Sequence, residues 1–225
     1  MPGQITVVVA TRSVGKLREL VPLFAAADYR CITLEQAALA ESPEEASLEA
    51  FDTFEANALA KARWFSARSG GRVVVADDSG LEVDALNGAP GVRSKRWSGR
   101  EDLQDDALDA ANNAFLLRSL EQVPLADGEP RLARYVCAAA CVWNGGELVV
   151  RGTCEGEIVA VPVGSGGFGY DPYFFSNELG RTFAQATREE KSLISHRGRA
   201  FARLIAAMTG ALQRETSMDL TDPHG

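Results

Sequence analysis

The stretch QITVVVATRSVGKLRELVPLFAAA, residues 4–27, decides how the chain begins to fold. Residues 4–10 are a short β-branched run, the composition of a buried strand. From Val14 onward the apolar residues recur at helical spacing, and the polar turn TRSVGK (11–16) separates the two. Strand, tight turn and helix start in that order present backbone N–H groups to an anion. A related arrangement follows. Residues 51–69 (FDTFEANALAKARWFSARS) read as a strong helix ended by Gly70-Gly71. Residues 72–76 (RVVVA) read as a second buried strand, with DDSG (77–80) at its carboxyl end.

Working outward, residues 35–49 are acidic and alanine-rich, a loop with a short helix, and LNGAPGVRSKRWSG (86–99) is a glycine- and proline-rich loop. A helix is predicted over about 102–122. Two strands, 131–143 and 147–153, flank Asn144-Gly145, a strong hairpin signal. A third strand is predicted at 157–161, then a glycine-rich loop SGGFGYDP (165–172) and a last helix over about 198–214. Residues 215–225 carry no pattern and read as a disordered tail. Strands alternate with helices in the first half, so the chain reads as one α/β domain over 1–214, with two lobes around a central cleft.

Composition bounds the function. The 225 residues are 46% hydrophobic and 24% charged, an ordinary globular balance. No run approaches the ~18–20 apolar residues of a membrane span. The first ten residues lack a cationic lead and a cleavage site, so a cytoplasmic address is expected. Two histidines exclude a multi-histidine metal centre, and four cysteines (Cys31, Cys137, Cys141, Cys154) have no zinc or redox spacing. A net charge of −8 argues against nucleic acid partners. It does not argue against a small polyphosphate met by a few lysines, backbone amides and a metal.

Four segments carry candidate chemistry. In Thr11-Arg12-Ser13-Val14-Gly15-Lys16, a hydroxyl, a lysine and a helix N-terminus fall within one short turn that suits a triphosphate; the alternative is a routine connection with Ser13 as N-cap. Asp77 and Asp78 are adjacent and so point opposite ways in an extended chain. One of them faces a cleft and binds magnesium, or both sit in a solvated turn. In the loop 166–172, Phe168 and Tyr170 offer flat faces for a base and Asp171 an acceptor, or the aromatics fill the core. Finally, KSLISHRG (191–198) gathers Lys191, His196 and Arg197. Such donors suit a 6-oxo purine, whose O6 and N7 are acceptors, and leave groups unpaired against adenine. The alternative is a charged helix start with a satisfied histidine.

Together, ATRSVGK, TFEANALAKAR, ADDSGLEVDALNGAPGVRSKRWSG, GGFGYDPYF and REEKSLISHRGRA resemble, in order, the inosine/xanthosine triphosphate pyrophosphatase family, which acts on non-standard purine nucleotides. The resemblance spans residues 5–205. It implies an α/β fold with a twisted mixed β-sheet and flanking helices, usually as a homodimer. It also implies Mg2+-dependent hydrolysis of ITP, dITP and XTP to the monophosphate and pyrophosphate. By matching motifs, the turn Thr11, Arg12, Ser13, Val14, Gly15 and Lys16 would hold the triphosphate, with Lys61. Asp78 would be the metal ligand and water-orienting base, and Ser79 a substrate contact. Phe168, Gly169, Tyr170, Asp171, Lys191, His196 and Arg197 would form the base pocket. Ser13 stands where the family usually has asparagine. The family's metal-binding glutamate, four residues before Thr53-Phe54, corresponds to Glu49, with Glu44 and Glu45 as alternatives because the acidic segment is longer than usual. Ala56 replaces a frequently acidic residue, with Glu55 beside it. Two rival readings remain: a house-cleaning pyrophosphatase for modified pyrimidines, disfavoured by the Lys191, His196 and Arg197 donors, and a non-catalytic nucleotide sensor.

Overall fold

The computed structural model describes residues 4–124, 126 and 128–219, with side chains to residue 212. Its strands are β1 (Thr6–Val9), β2 (Arg30–Thr33), β3 (Val73–Val83), β4 (Leu132–Trp143), β5 (Gly146–Ile158), β6 (Phe174–Ser176) and β7 (Arg181–Thr182). They form a seven-stranded sheet in the order β2-β1-β3-β4-β5-β6-β7. Its first pairs, β1 with β2 and β1 with β3, are parallel, whereas β5–β6 and β6–β7 are antiparallel. The sheet is therefore mixed, as expected. The helices are α1 (Val14–Ala26), α2 (Phe54–Arg68), α3 (Asp105–Glu121), α4 (Arg188–Ile194) and α5 (His196–Asp219).

Local chemistry explains the boundaries. Ser13 caps α1, its hydroxyl accepting the Lys16 N–H at 3.3 Å, and Thr53 caps α2 by accepting the Ala56 N–H at 3.2 Å. Residues 51–53, expected to be helical, are thus the lead-in to the cap. The expected hairpin is present: β4 and β5 are neighbours in the sheet, joined across Asn144-Gly145. The last helix reaches Asp219, so residues 215–219 of the expected tail are helical, and 220–225 lie outside the described residues.

Three expectations change. β3 does not stop at Ala76 but runs through Asp77-Asp78-Ser79-Gly80 to Val83. Acidic pairs favour turns when solvated, but here lysines meet both carboxylates and the strand continues between β1 and β4. No separate strand covers 157–161; Glu157 and Ile158 end β5, whose partner is β6 (Gly156↔Ser176, Ile158↔Phe174). The short strands β2, β6 and β7 carry no clear pattern of their own and exist through their ladders, such as Thr6↔Arg30.

By contacts the chain divides into two compact units. The first comprises residues 1–78, 138–151 and 200–225, and its core includes Val7, Val8, Phe24, Ala58, Phe65, Val74 and Phe201. Phe24 meets Phe201 edge-on at 5.8 Å. The second comprises residues 79–137 and 152–199, around Leu81, Leu116, Tyr135, Cys154, Phe174 and Phe183. Cys137, Cys141 and Cys154 are buried thiols, and burial pushes Cys141 up to about 12. Among the described residues no helix is long and apolar enough to cross a membrane.

Candidate active site

In the first unit, the alternation of an extended strand sends Asp77 and Asp78 to opposite sides of β3. Asp77 meets Lys16 of α1, Nζ to Oδ2 at 2.9 Å. Asp78 meets α2: Asn57 Nδ2 donates to its Oδ2 at 2.8 Å, and Lys61 Nζ lies 3.9 Å from its Oδ1. Lys61 also donates to Glu49 at 2.7 Å and to the Asp77 carbonyl. The Lys61–Asp78–Glu49 group and the Lys16–Asp77 pair also act on each other's charges across the strand, so the five form one charged cluster, with Lys61, Asp77 and Asp78 buried. Burial pushes the Asp78 carboxyl above the ordinary aspartate range; Lys61 and Lys16 pull it back, Glu49 pushes it up, and burial prevails. Burial also pulls Lys61 down, but Glu49, Asp78 and Asp77 outweigh it and the ammonium is held charged.

The acidic segment resolves into distinct tasks. Glu45, in the 3-10 helix Pro43–Glu49, forms a two-pronged pair with Arg12 at 2.6 and 2.8 Å, and accepts the Ser42 N–H at 3.1 Å. Glu44 is exposed, and Glu49 alone of the three reaches the Lys61 cluster. Arg12 therefore braces this segment, while Glu55 pairs with Arg151 at 3.1 Å. The hydrogen bond from Arg12 holds the Glu45 carboxyl below the usual glutamate range. Stability from this pair is present above the unfolded glutamate value and lost as pH falls through the lower folded one. Glu45→Gln is expected to cost about 1 kcal/mol or less near neutral pH, and the difference from wild type, followed by thermal unfolding, is expected to shrink in acid.

In the second unit, Asp171 is the hub. Its Oδ2 accepts from Lys191 Nζ at 2.7 Å and from the Phe168 N–H at 2.9 Å, and Tyr135 donates its hydroxyl to Oδ1 at 3.4 Å. A Cβ on Gly167 would overlap the same carboxylate, so the loop wraps it closely. Asp171, which the sequence reading placed against a base, is 2% exposed, and its carboxylate is engaged by Lys191, the Phe168 N–H and Tyr135. Tyr170 is likewise a core residue, 4% exposed with its hydroxyl donating to the Ser94 carbonyl at 2.7 Å. Phe168 is the aromatic that remains available, 39% exposed, with Lys191 Nζ 4.8 Å and the Arg197 guanidinium 5.8 Å from its ring centre. His196 lies flat on Tyr135, ring centres 4.6 Å apart, and Arg197 donates to the Ser79 hydroxyl at 2.8 Å.

A model of the Ham1 family matches residues 7–207. This chain belongs to the Ham1 family. It is 44% identical over 204 residues to the dITP/XTP pyrophosphatase of Exiguobacterium sibiricum, covering 90% of this chain and 96% of the relative. To the dITP/XTP pyrophosphatase of Mycobacterium tuberculosis it is 48% identical over 205 residues, covering 89% and 93%. Its structure is similar to that of a HAM1 protein from Coxiella burnetii, with a TM-score of 0.78 at 34% identity, covering 92% of this chain and 100% of the other. The dITP/XTP pyrophosphatase from Mycobacterium abscessus is similar at a TM-score of 0.66 and 43% identity, covering 89% and 98%.

The donor set of this Ham1-family chain is compatible with a divalent metal. Asp78 and Glu49 both approach Lys61 Nζ, so two hard oxygen donors converge on one region. Among the described residues no group of three or more His, Cys, Asp or Glu side chains is placed to hold a metal. A cation held by two carboxylates would complete its shell with water and phosphate oxygens, the habit of magnesium. Several supporting residues escape sequence reading: Asn57, which orients Asp78; Tyr135, which lies under His196; and Asp109 and Asn113 of α3, which bond to Gly169. Only Asn57 had a signal, lying in TFEANALAKAR one helical turn before Lys61.

Proposed function

We propose that this chain hydrolyses ITP, dITP and XTP to the monophosphate and pyrophosphate, removing non-standard purines from the nucleotide pool. The observation that carries the reading is the part-buried charged cluster in which Lys61 lies against both Glu49 and Asp78, with Lys16 against Asp77. Membership of a family whose relatives bear the name dITP/XTP pyrophosphatase supports it. Asp78 and Glu49 would hold Mg2+, which supplies charge neutralisation on the polyphosphate when bound. Lys16, Lys61, Ser13 and the first-turn amides of α1 grip phosphate oxygens, and Thr11, Val14 and Gly15 shape that turn. Asp78 orients the attacking water, and the lysines stabilise charge developing on the bridging oxygen. In the second unit, Phe168 offers its face to the base, while Lys191, His196 and Arg197 supply donors to O6 and N7. Asp171 and Tyr170 hold that arrangement together, and Ser79 steadies Arg197.

The test is pyrophosphate release from ITP, XTP, dITP, GTP and ATP, each with Mg2+ and with EDTA. Metal-dependent release from ITP, dITP and XTP, far above GTP and ATP, is expected. A folded protein that binds ITP but releases nothing would replace the enzyme with a nucleotide sensor. A homodimer in the cytoplasm is part of the same reading, and sedimentation of the purified chain checks the dimer. Ser13→Asn is expected to leave stability unchanged, because both residues cap helices well, and to leave KM for ITP unchanged or lower it. A large loss of kcat/KM would mean that the phosphate turn depends on the smaller hydroxyl.

A further inference from the structure

We propose that Asp109 and Asn113, one turn apart on α3, are positioning residues that hold Gly169, and through it the ring of Phe168, ready for the base. The inference rests on the purine reading above. Gly169 is gripped at both its polar groups: its N–H donates to Asp109 Oδ2 at 2.6 Å, and its carbonyl accepts from Asn113 Nδ2 at 2.9 Å. The same Asn113 amide donates to the Asp109 carbonyl at 2.9 Å, so two carbonyls define which way it points. Spacing of four residues puts the two side chains on one helix face. Gly169 has φ of +64°, which glycine adopts freely and side-chain-bearing residues rarely do, and the two hydrogen bonds fix a residue that has that freedom.

Phe168 stands between this clamp and the Asp171 hub. Its own N–H is bonded to Asp171 Oδ2 at 2.9 Å, and its carbonyl accepts the Asp171 N–H at 3.3 Å. An exposed ring is thereby carried on a backbone held on both sides, beneath Lys191 and Arg197. A stacking residue that is already ordered does not lose freedom when the base arrives, and the affinity it contributes is correspondingly greater.

The experiment compares wild type with Asp109→Ala, Asn113→Ala and Asp109→Asn. Both alanine variants are expected to weaken ITP about tenfold in KM with kcat within about twofold, and to speed hydrogen exchange in the 166–172 loop. Inhibition by inorganic tripolyphosphate, which has no base, is expected to stay at the wild-type level. Asp109→Asn keeps an acceptor for the Gly169 N–H and is expected to restore most of the affinity. Unchanged loop exchange, or faster exchange with unchanged ITP affinity, would overturn the inference. Equal weakening of ITP and tripolyphosphate would also overturn it, since that marks a general structural loss. ITP affinity is read by calorimetry with Ca2+ in place of Mg2+, independent of turnover. Wild type that binds ITP without releasing pyrophosphate would therefore sink the activity while the clamp is still judged on affinity.

Discussion

Asp78→Asn is expected to lower kcat for ITP by about a thousandfold or more, roughly 4 kcal/mol of barrier, with the fold intact. An amide keeps the shape of the carboxylate, and its oxygen can still accept from Asn57. It loses the negative charge that holds a hard cation and orients water. Stability is expected to move the other way. Burial is the largest influence on the Asp78 carboxyl and raises it despite two lysines, so the ionised form is unfavourable in the folded protein. The folded state holds this proton more tightly than the unfolded chain. Wild type without metal therefore loses stability as pH rises from the ordinary aspartate value, ~3.9, through the raised folded one. The asparagine variant has no such loss, and in EDTA at neutral pH its melting temperature is expected to match or exceed that of wild type. Near-normal kcat in the variant would refute the metal assignment. A melting temperature far below wild type would refute the account of the buried charge.

Asp171→Ala is expected to cost about 3–5 kcal/mol of stability. Its carboxylate side chain is 3% exposed and its partner Lys191 is 10% exposed. Truncation removes the counter-charge from a buried ammonium and the acceptor from the Phe168 N–H, and leaves a void beside Tyr135. Thermal unfolding is expected to shift down by about 10 °C. Much of this is the cost of burying Lys191 without that carboxylate. The double variant Asp171→Ala/Lys191→Met is therefore expected to recover a substantial part of the stability while remaining poor at recognising the base. If the double variant is no more stable than Asp171→Ala, the loss lies in packing and the Phe168 contact rather than in the charge.

The β1 run, the Ser13 cap, the α2 periodicity and the Asn144-Gly145 turn are local signals, each set by residues a few positions apart, and they placed the elements that carry Lys16 and Lys61. The motif order brought the family with it. By contrast, the extension of β3 through two aspartates depends on lysines from α1 and α2, and no neighbour in the chain announces that neutralisation. The assignment of Glu49 rather than Glu45 to the lysine cluster depends on Arg12 taking Glu45, a contact between residues 33 apart in the chain. Asp171 and Tyr170 looked like base contacts because polar and aromatic residues in a glycine loop commonly face a ligand. Whether they do is set by what else reaches them, here Lys191, Tyr135 and the Ser94 carbonyl. The sequence by itself determined the longer helices, the first strand and the hairpin, the family and the residue types available for chemistry. Which of those residues face outward and which are held by a distant partner was decided only by tertiary structure, because burial and ion pairing are properties of neighbours in space.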